Sequence, residues 1–390
     1  MSCYISSNNN RFYVAAEEAY GAVAAVTAVN RIPAVTLSIK QRSIHGHRKD
    51  KTGSRSYAGS PSGVRQRTQF DLTTYLTSWQ APTTEPSYGP LFRAALGGSV
   101  SLHSGATVAA MPTPTQLTLT APHNLAVGQA VSFAGDIRFV DAIVNPTTIL
   151  LNAPFTTTPI SGAQVTPTAT YALAQELPSI SLFDYWSPAT AIQRIASGAA
   201  VDTLKIKING DFHEFTFSGE AKDIVDSVSF SSGLAGLTQF PGEPAIGNFD
   251  YSIVPGNLGQ AWLGTAAAKF LTVTSAEVTV DNNMDLRRNE FGSDRAACIT
   301  AGQRNVSVNF NLFQQDNDET KALYQAAKQR SPISVFFQLG EQAGQLFGIY
   351  MKSVIIELPE YNDNQTRVEW QFKTSRAQGT LDDEIYMAFA

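Results

Sequence analysis

One short stretch of this chain occurs nearly twice, and that repeat limits the possible folds more than any other feature. Leu91-Phe92-Arg93-Ala94-Ala95-Leu96 is echoed by Leu323-Tyr324-Gln325-Ala326-Ala327-Lys328. Each copy has the spacing of a short amphipathic helix, with a large apolar pair one turn before the alanines. The surroundings match in the same order. Phe70-Asp71-Leu72 precedes the first copy and Phe310-Asn311-Leu312 precedes the second. Ile180-Ser181-Leu182-Phe183 follows the first and Ile333-Ser334-Val335-Phe336 follows the second. Leu91 and Leu323 are 232 positions apart, but Ile180 and Ile333 only 153. The first copy therefore carries 79 additional residues between its helix and its next strand.

Alternation of apolar and polar residues predicts strands around both helices. Val35, Leu37 and Ile39 alternate with Thr36, Ser38 and Lys40, and Phe70 and Leu72 with Gln69, Asp71 and Thr73. Leu204 to Ile208, Asn209-Gly210, then Phe212 to Phe217 reads as a hairpin with a type I′ turn. The second copy has Ser353 to Glu360, a turn at 361–364, and Thr366 to Lys373, with Val368, Trp370 and Phe372 facing in. A short helix is expected from Pro188 to Ser197, ending at Gly198.

The boundaries that follow are an N-terminal arm over 1–30, a first fold over 31–96 and 177–222, and an inserted small β-domain over 97–176. A surface linker over 223–269 and a second fold over 270–390 complete the chain. The insertion is nearly free of charge and is expected as an appendage. Its uncharged run from Ala94 to Gly135 is broken by Pro112, Pro114 and Pro122, so it is not a membrane span.

The net charge of −5 argues against a nucleic-acid binder as a whole. The charge is uneven. Between Lys40 and Arg67 stand Lys40, Arg42, Arg48, Lys49, Lys51, Arg55, Arg65 and Arg67, with Asp50 as the one acid. Ser43 through Arg67 is expected as a long loop. It could dock on an acidic face of another subunit, bind nucleic acid, or simply be solvated. Tyr57 is its one aromatic, which weakens the nucleic-acid reading. The corresponding loop of the second copy, Asp281 to Arg304, balances four acids with four arginines.

Catalytic and metal chemistry find little support. His45 and His47 lack a third ligand close in sequence, so no metal is expected. Cys3 and Cys298 are too few for a disulfide framework, and Cys298 reads as an inert thiol; a reducing cytoplasm is the expected compartment. Asp281, Asp285, Asp316 and Asp318 stand at turns and before a helix, where acids cap. There is no P-loop, dinucleotide fingerprint or serine nucleophile elbow. Neither an enzymatic activity nor a cofactor is expected.

The chain resembles the tail tube (major tail) proteins of long-tailed bacteriophages. The resemblance rests on Glu17-Glu18-Ala19-Tyr20-Gly21, on Arg48-Lys49-Asp50-Lys51-Thr52-Gly53, on the Phe70 to Thr77 strand, and on Thr274-Ser275-Ala276-Glu277-Val278 followed by Asp281-Asn282. It implies a mainly β protein with two tandem tail-tube-like β-sandwiches, each flanked by a short helix, plus a small all-β insertion on the outer surface. It further implies stacked rings forming the hollow tail tube of the virion, assembled in the host cytoplasm. Two folds per chain imply a homotrimeric ring.

The implied partners are other copies of the chain, the tape-measure protein inside the tube, tail-tip and tail-terminator proteins, and phage DNA in transit without sequence-specific binding. No membrane is involved. Arg42, Arg48, Lys49, Lys51, Arg55, Arg65 and Arg67 would form the inter-ring contact loop. Asp285, Arg287, Arg288 and Glu290 would form its second-copy counterpart. Lys205, Lys207, Glu277, Asn309, Glu369 and Gln371 are candidates for the lumen. An acidic lumen, which would keep DNA from sticking, is also consistent with the charge balance. The competing classes are a tail hub or terminator ring, a cell-wall hydrolase, and a monomeric surface-binding β module.

Overall fold

The computed structural model describes the chain apart from residues 1–3, 46–48, 52, 57–58, 60–63, 80–83, 246–250, 287–289 and 365, and the side chain of 286. The protein is built mostly of antiparallel strands. Those that organise it are β1 (Asn10–Ala16), β2 (Ala34–Ile44), β3 (Arg65–Tyr75), β4 (Ile180–Trp186), β5 (Arg194–Ile208) and β6 (Glu214–Ala221). In the second half they are β7 (Gly259–Gly264), β8 (Val273–Asp281), β9 (Asn305–Phe313), β10 (Ile333–Leu339), β11 (Phe347–Ile355), β12 (Glu360–Asn362), β13 (Glu369–Ala377) and β14 (Tyr386–Phe389). Helix α1 (Gly89–Leu96) lies between β3 and β4, and α2 (Asp318–Gln329) between β9 and β10. Asn317, rather than a neighbouring acid, caps α2 by accepting from the Thr320 amide at 2.9 Å.

The same order of strand pairings occurs twice. In the first half β1 pairs β4, β4 pairs β5, β2 pairs β3, β3 pairs β6 and β6 pairs β5. In the second half β7 pairs β10, β10 pairs β11, β8 pairs β9, β9 pairs β13, and β13 pairs both β12 and β11. The halves are joined by β5 pairing β8, from Thr203 opposite Asp281 to Ile208 opposite Ala276. One sheet of eight strands results, in the order β2-β3-β6-β5-β8-β9-β13-β12.

The apolar face of that sheet covers the core. Phe70, Leu72, Phe215, Phe217, Leu204, Ile206, Val278, Val280, Val308, Phe310, Trp370 and Phe372 are all buried. Phe92 of α1 is the hub beneath it. Its ring meets Phe215 and Phe217 of the eight-stranded sheet at 5.5 and 5.4 Å, and Phe347, Phe389 and Tyr171 of the opposing sheet at 5.5, 5.3 and 5.5 Å. Such edge-on and tilted contacts hold aromatic cores in register.

The insertion is a six-stranded sheet of residues 106–165, and a bridge from Ser132 to Thr166 brings its two ends together into a small barrel. Its flanks belong elsewhere. Ser101–His103 and Thr168–Ala172 pair with each other, and the latter pairs β14 of the opposing sheet. The barrel is not a loosely hung appendage. Ala130, Ile137, Phe139 and Ala153 share a core with Trp262, Phe336, Leu346 and Tyr350 of the second half. Arg138 fastens this contact. It is fully buried, with Asp136 at 3.3 Å, and donates to Gln338 Oε1 at 2.8 Å. Its guanidinium lies 5.4 Å from the Trp262 ring centre and 5.5 Å from that of Phe336. Burial lowers its pKa to about 10, with Asp136 acting the other way.

Several expectations need correcting. The long basic loop is shorter, because β2 runs to Ile44 and β3 starts at Arg65, paired throughout. No helix spans Pro188 to Ser197. Arg194 already begins β5, flanked by β4 on one side and Asp223–Asp226 on the other, so tertiary pairing overrides local propensity. Residues 223–269 do not simply drape: Asp223–Asp226 pairs β5 and β7 pairs β10. The first 30 residues include β1, a strand of the chain's own sheet. Asn209 takes a positive φ of 63° and Gly210 does not, so the expected type I′ turn is replaced by a longer connection over 209–213. There Phe212 bridges Pro255, and His213 contacts the Leu258 carbonyl at 3.1 Å. Val35 sits at a pairing irregularity and is exposed, and Val368 is also partly open, so neither faces in as the alternation implied.

Candidate assembly surfaces

The second face of the eight-stranded sheet is mostly polar, with Tyr75 and Phe313 as its aromatic members. Strand alternation and register put Thr36, Thr73, Thr216, Lys205, Thr279, Ser307 and Arg376 in one row across seven strands. The next row holds Tyr75, Glu214, Lys207, Glu277 and Asn309. Ser275, Asn311, Gln371 and Glu360 make a third. All six residues singled out from the sequence, Lys205, Lys207, Glu277, Asn309, Glu369 and Gln371, stand on this one face.

Charges of both signs are interleaved here, and some are paired. Lys207 lies 3.4 Å from Glu214, and Lys373 2.5 Å from Glu360. Glu369 accepts from the Thr274 hydroxyl at 2.6 Å, which holds its carboxyl below the usual range. The face is therefore charge-balanced, not acidic. Lys40, Arg42, Arg67, Lys205, Lys207, Lys373 and Arg376 offset Asp71, Glu214, Glu220, Glu277, Asp281, Glu360 and Glu369.

The basic hairpin lies at the end of the sheet where β2 and β3 leave it. Its seven named cations are not equivalent. Arg67 is held by Glu220, its Nε donating at 2.7 Å, so it is committed within the chain. Arg65 donates to the Glu290 carbonyl at 3.5 Å. Arg42 stands opposite Arg67 and is exposed. Lys49, Lys51 and Arg55 are exposed in the connecting segment, and Arg48 lies outside the described residues.

The second-copy loop comes to the same place. The Gln66 amide donates to the Asp294 carbonyl at 2.9 Å. Arg295 lies 2.5 Å from Asp223, which also accepts from Gln41 at 2.9 Å. Asp285 pairs with Thr300 and is exposed, as is Glu290; Arg287 and Arg288 lie outside the described residues. The two loops of one chain thus brace each other at the hairpin base. Pairing between loops more than 200 residues apart has no local signature.

The Glu17-Glu18-Ala19-Tyr20-Gly21 motif is an anchor. Glu17 accepts from the amides of Gly21 and Gly198, both at 2.8 Å, and from the hydroxyls of Ser179 and Ser181, both at 2.7 Å. Gly21 has φ +76°, and the Lys222 side chain occupies the space a Cβ would need. The ammonium of Lys222 lies 5.3 Å from the Tyr20 ring centre.

Among the described residues no group of three or more His, Cys, Asp or Glu could hold a metal ion, and no helix is long and apolar enough to cross a membrane.

A continuous sheet with one mostly polar face, a helix-filled core and a basic projection suits a structural protein. Residues 7–372 match the model of the phage tail tube protein family, and the chain belongs to that family. It is a structural component of the virion tail. Among solved structures it is similar to the SPP1 tail tube, determined by solid-state NMR and cryo-EM, at 15% identity and a TM-score of 0.25. That match covers 33% of this chain and 81% of the other. No curated protein matches the chain.

Proposed function

We propose that three copies of this chain close into a ring, and that rings stack into the hollow tail tube that conducts phage DNA. The observation that carries this reading is the eight-stranded sheet itself. It is polar on one face and belongs equally to two halves with the same pairing order, which supports a duplicated fold. Its end strands, β2 and β12, each pair on one side among the described residues. Unpaired edges invite pairing, and ring closure removes them.

Three such sheets supply 24 strands. At the usual strand spacing and tilt these close a barrel roughly 45–50 Å across between opposite backbones. That leaves room for a duplex or an extended tape-measure protein. The polar face would line the lumen. Its paired charges offer DNA neither a basic track nor a strongly repelling wall, and counterion release from phosphates would be small. The barrel of residues 106–165 packs beyond β10 and β11, on the side of the core away from the polar face, which supports its place on the outer wall. Lys49, Lys51 and Arg55 would reach the neighbouring ring. Tail-tip and tail-terminator proteins would cap the stack, assembly would take place in the host cytoplasm, and no catalytic role is proposed.

Negative-stain electron microscopy of concentrated protein, with mass measurement, tests the reading. Hollow rings or tubes with three chains per layer are expected. Six chains per layer would refute the account of the duplication, and a stable monomer that fails to assemble with tail-tip proteins would refute the tube.

A further inference from the structure

The seam inside the chain specifies the seam between chains. At the internal junction β5 meets β8, with Leu204 opposite Val280, Lys205 opposite Thr279 and Lys207 opposite Glu277. Each of these strands has an equivalent at a free edge of the sheet. Leu204 stands opposite Phe217, which stands opposite Leu72. Tyr361 stands opposite Trp370, which stands opposite Leu312. Leu72 and Leu312 belong to the repeated Phe-Asp-Leu and Phe-Asn-Leu triplets, so Tyr361 on β12 is the equivalent of Leu204 on β5.

The same construction applies to β8 and β2. Ala276 stands opposite Phe310, and Ile39 opposite Phe70. Counting along both strands from that pair makes Ser43 the equivalent of Val280, Arg42 that of Thr279, and Lys40 that of Glu277.

We propose that β12 of one copy pairs antiparallel with β2 of the next, placing Tyr361 opposite Ser43 and Asn362 opposite Arg42. The proposal rests on the ring reading and deepens it by naming the two edges and their register. Two observations carry it beyond the pairing analogy. Leu204 is fully buried at the internal seam, whereas Tyr361 is 59% exposed even though its ring packs on Trp370 at 5.9 Å. Tyr361 occupies a core-side position with its cover missing, and β2 of a second copy would supply that cover.

Charge is the second observation. The internal seam sets lysines on β5 against Glu277 and Asp281 on β8. At the free edges the signs are exchanged: Lys40 and Arg42 are on β2, while Glu360 and Asp363 are on or beside β12, all exposed. Both seams are complementary, and exchanging a strand between them would bring like charges together. A β5 edge would meet Lys40 and Arg42, and a β12 edge would meet Glu277 and Asp281. Repulsion of this kind selects the correct neighbour.

The test uses the full chain with Cys3→Ser and Cys298→Ser, carrying Ser43→Cys together with Tyr361→Cys. Directly opposite residues in an antiparallel pair place Cβ atoms about 4.5–5.5 Å apart, close enough for a disulfide after slight adjustment. Under mild oxidation and assembling conditions, cross-linked species up to the closed ring are expected on non-reducing gels, with monomers from either single variant. Arg42→Cys with Tyr361→Cys places the thiols on opposite faces and is expected to yield at least tenfold less cross-link.

Rings visible by microscopy but without the Ser43–Tyr361 cross-link would overturn the register and leave the ring reading standing. Absence of rings in the unmodified chain, with tail-tip proteins present, would overturn both. Hydrogen exchange on the unmodified chain gives an independent readout, with amides of residues 39–44 and 360–364 slowed at least tenfold on assembly. Unchanged exchange there in assembled rings would also overturn the proposal.

Discussion

The side-chain amide of Asn282 donates to the main-chain carbonyl of Ala95 at 2.9 Å, linking the end of β8 in the second half to α1 in the first. The same amide donates to the Val201 carbonyl on β5 at 3.0 Å. Asn282 is buried, so one side chain satisfies two carbonyls that water does not reach. Replacing it with alanine leaves both acceptors unpaired. The expected loss is about 1–3 kcal/mol, read as a lower denaturation midpoint with strand content unchanged. An unchanged midpoint would show that the halves do not depend on this link.

Arg138 is a stronger test of how the insertion is attached. Arg138→Met would leave Asp136 buried without its ion-pair partner, although Gln260 still donates to it at 2.8 Å. Breaking a buried pair by removing one partner costs about 3–5 kcal/mol. The expected result is a barrel that loosens from β10 and β11, detected as faster proteolysis around residues 130–155. Removing residues 106–165 entirely would expose Trp262, Phe336 and Tyr350, so aggregation is expected in place of a neutral deletion.

Glu243 ties the connector to β1. It accepts from Arg11 Nη2 at 2.6 Å and from the Tyr13 hydroxyl at 3.0 Å. Burial pushes its carboxyl up, but the hydrogen bonds from Arg11 and Tyr13 and the charges of Arg11 and Arg31 prevail, and its pKa falls below the usual 4.5. A depressed carboxyl contributes stability above its unfolded value and loses it as pH falls through the folded one. Acid titration below about pH 4.5 is therefore expected to free residues 227–245 before the core unfolds. Glu243→Gln should reproduce that release at neutral pH and remove its pH dependence; fluorescence of a probe on the connector reports both.

The basic segment should matter between rings and not within the subunit. Lys49→Glu with Lys51→Glu alters exposed residues, so stability should change by less than about 0.5 kcal/mol. Stacking should fail, leaving single rings where the unmodified chain forms tubes. Tubes of normal length from the double variant would show that these two lysines are not the contact.

The strand pattern was legible wherever one face is buried and the other wet. Leu204 to Ile208 and Val278 to Val280 announce themselves by alternation, and the matching triplets at Phe70 and Phe310 revealed the repeated order. What was hidden depends on partners distant in sequence. Arg194 to Gly198 resembles a helix until strands on both sides claim it. Asp294 and Gln66 give no hint of each other, and Arg138 reads as a lone surface cation until Trp262 and Phe336 close over it. The six polar-face residues were legible as a set because register turns alternation in separate strands into one surface. Which cations were already engaged was not, since Glu220 lies 153 residues from Arg67.

The pairing of β5 with β8 has a kinetic side. Two halves on one polypeptide find each other at an effective concentration set by their tether, whatever the dilution outside. In a trimeric ring, three of the six junctions would then exist before any two chains collide, and ring formation would be third order in protein rather than sixth. A virus making few copies early in infection could still nucleate a tail, and a finished ring would have only half its joints open to dissociation.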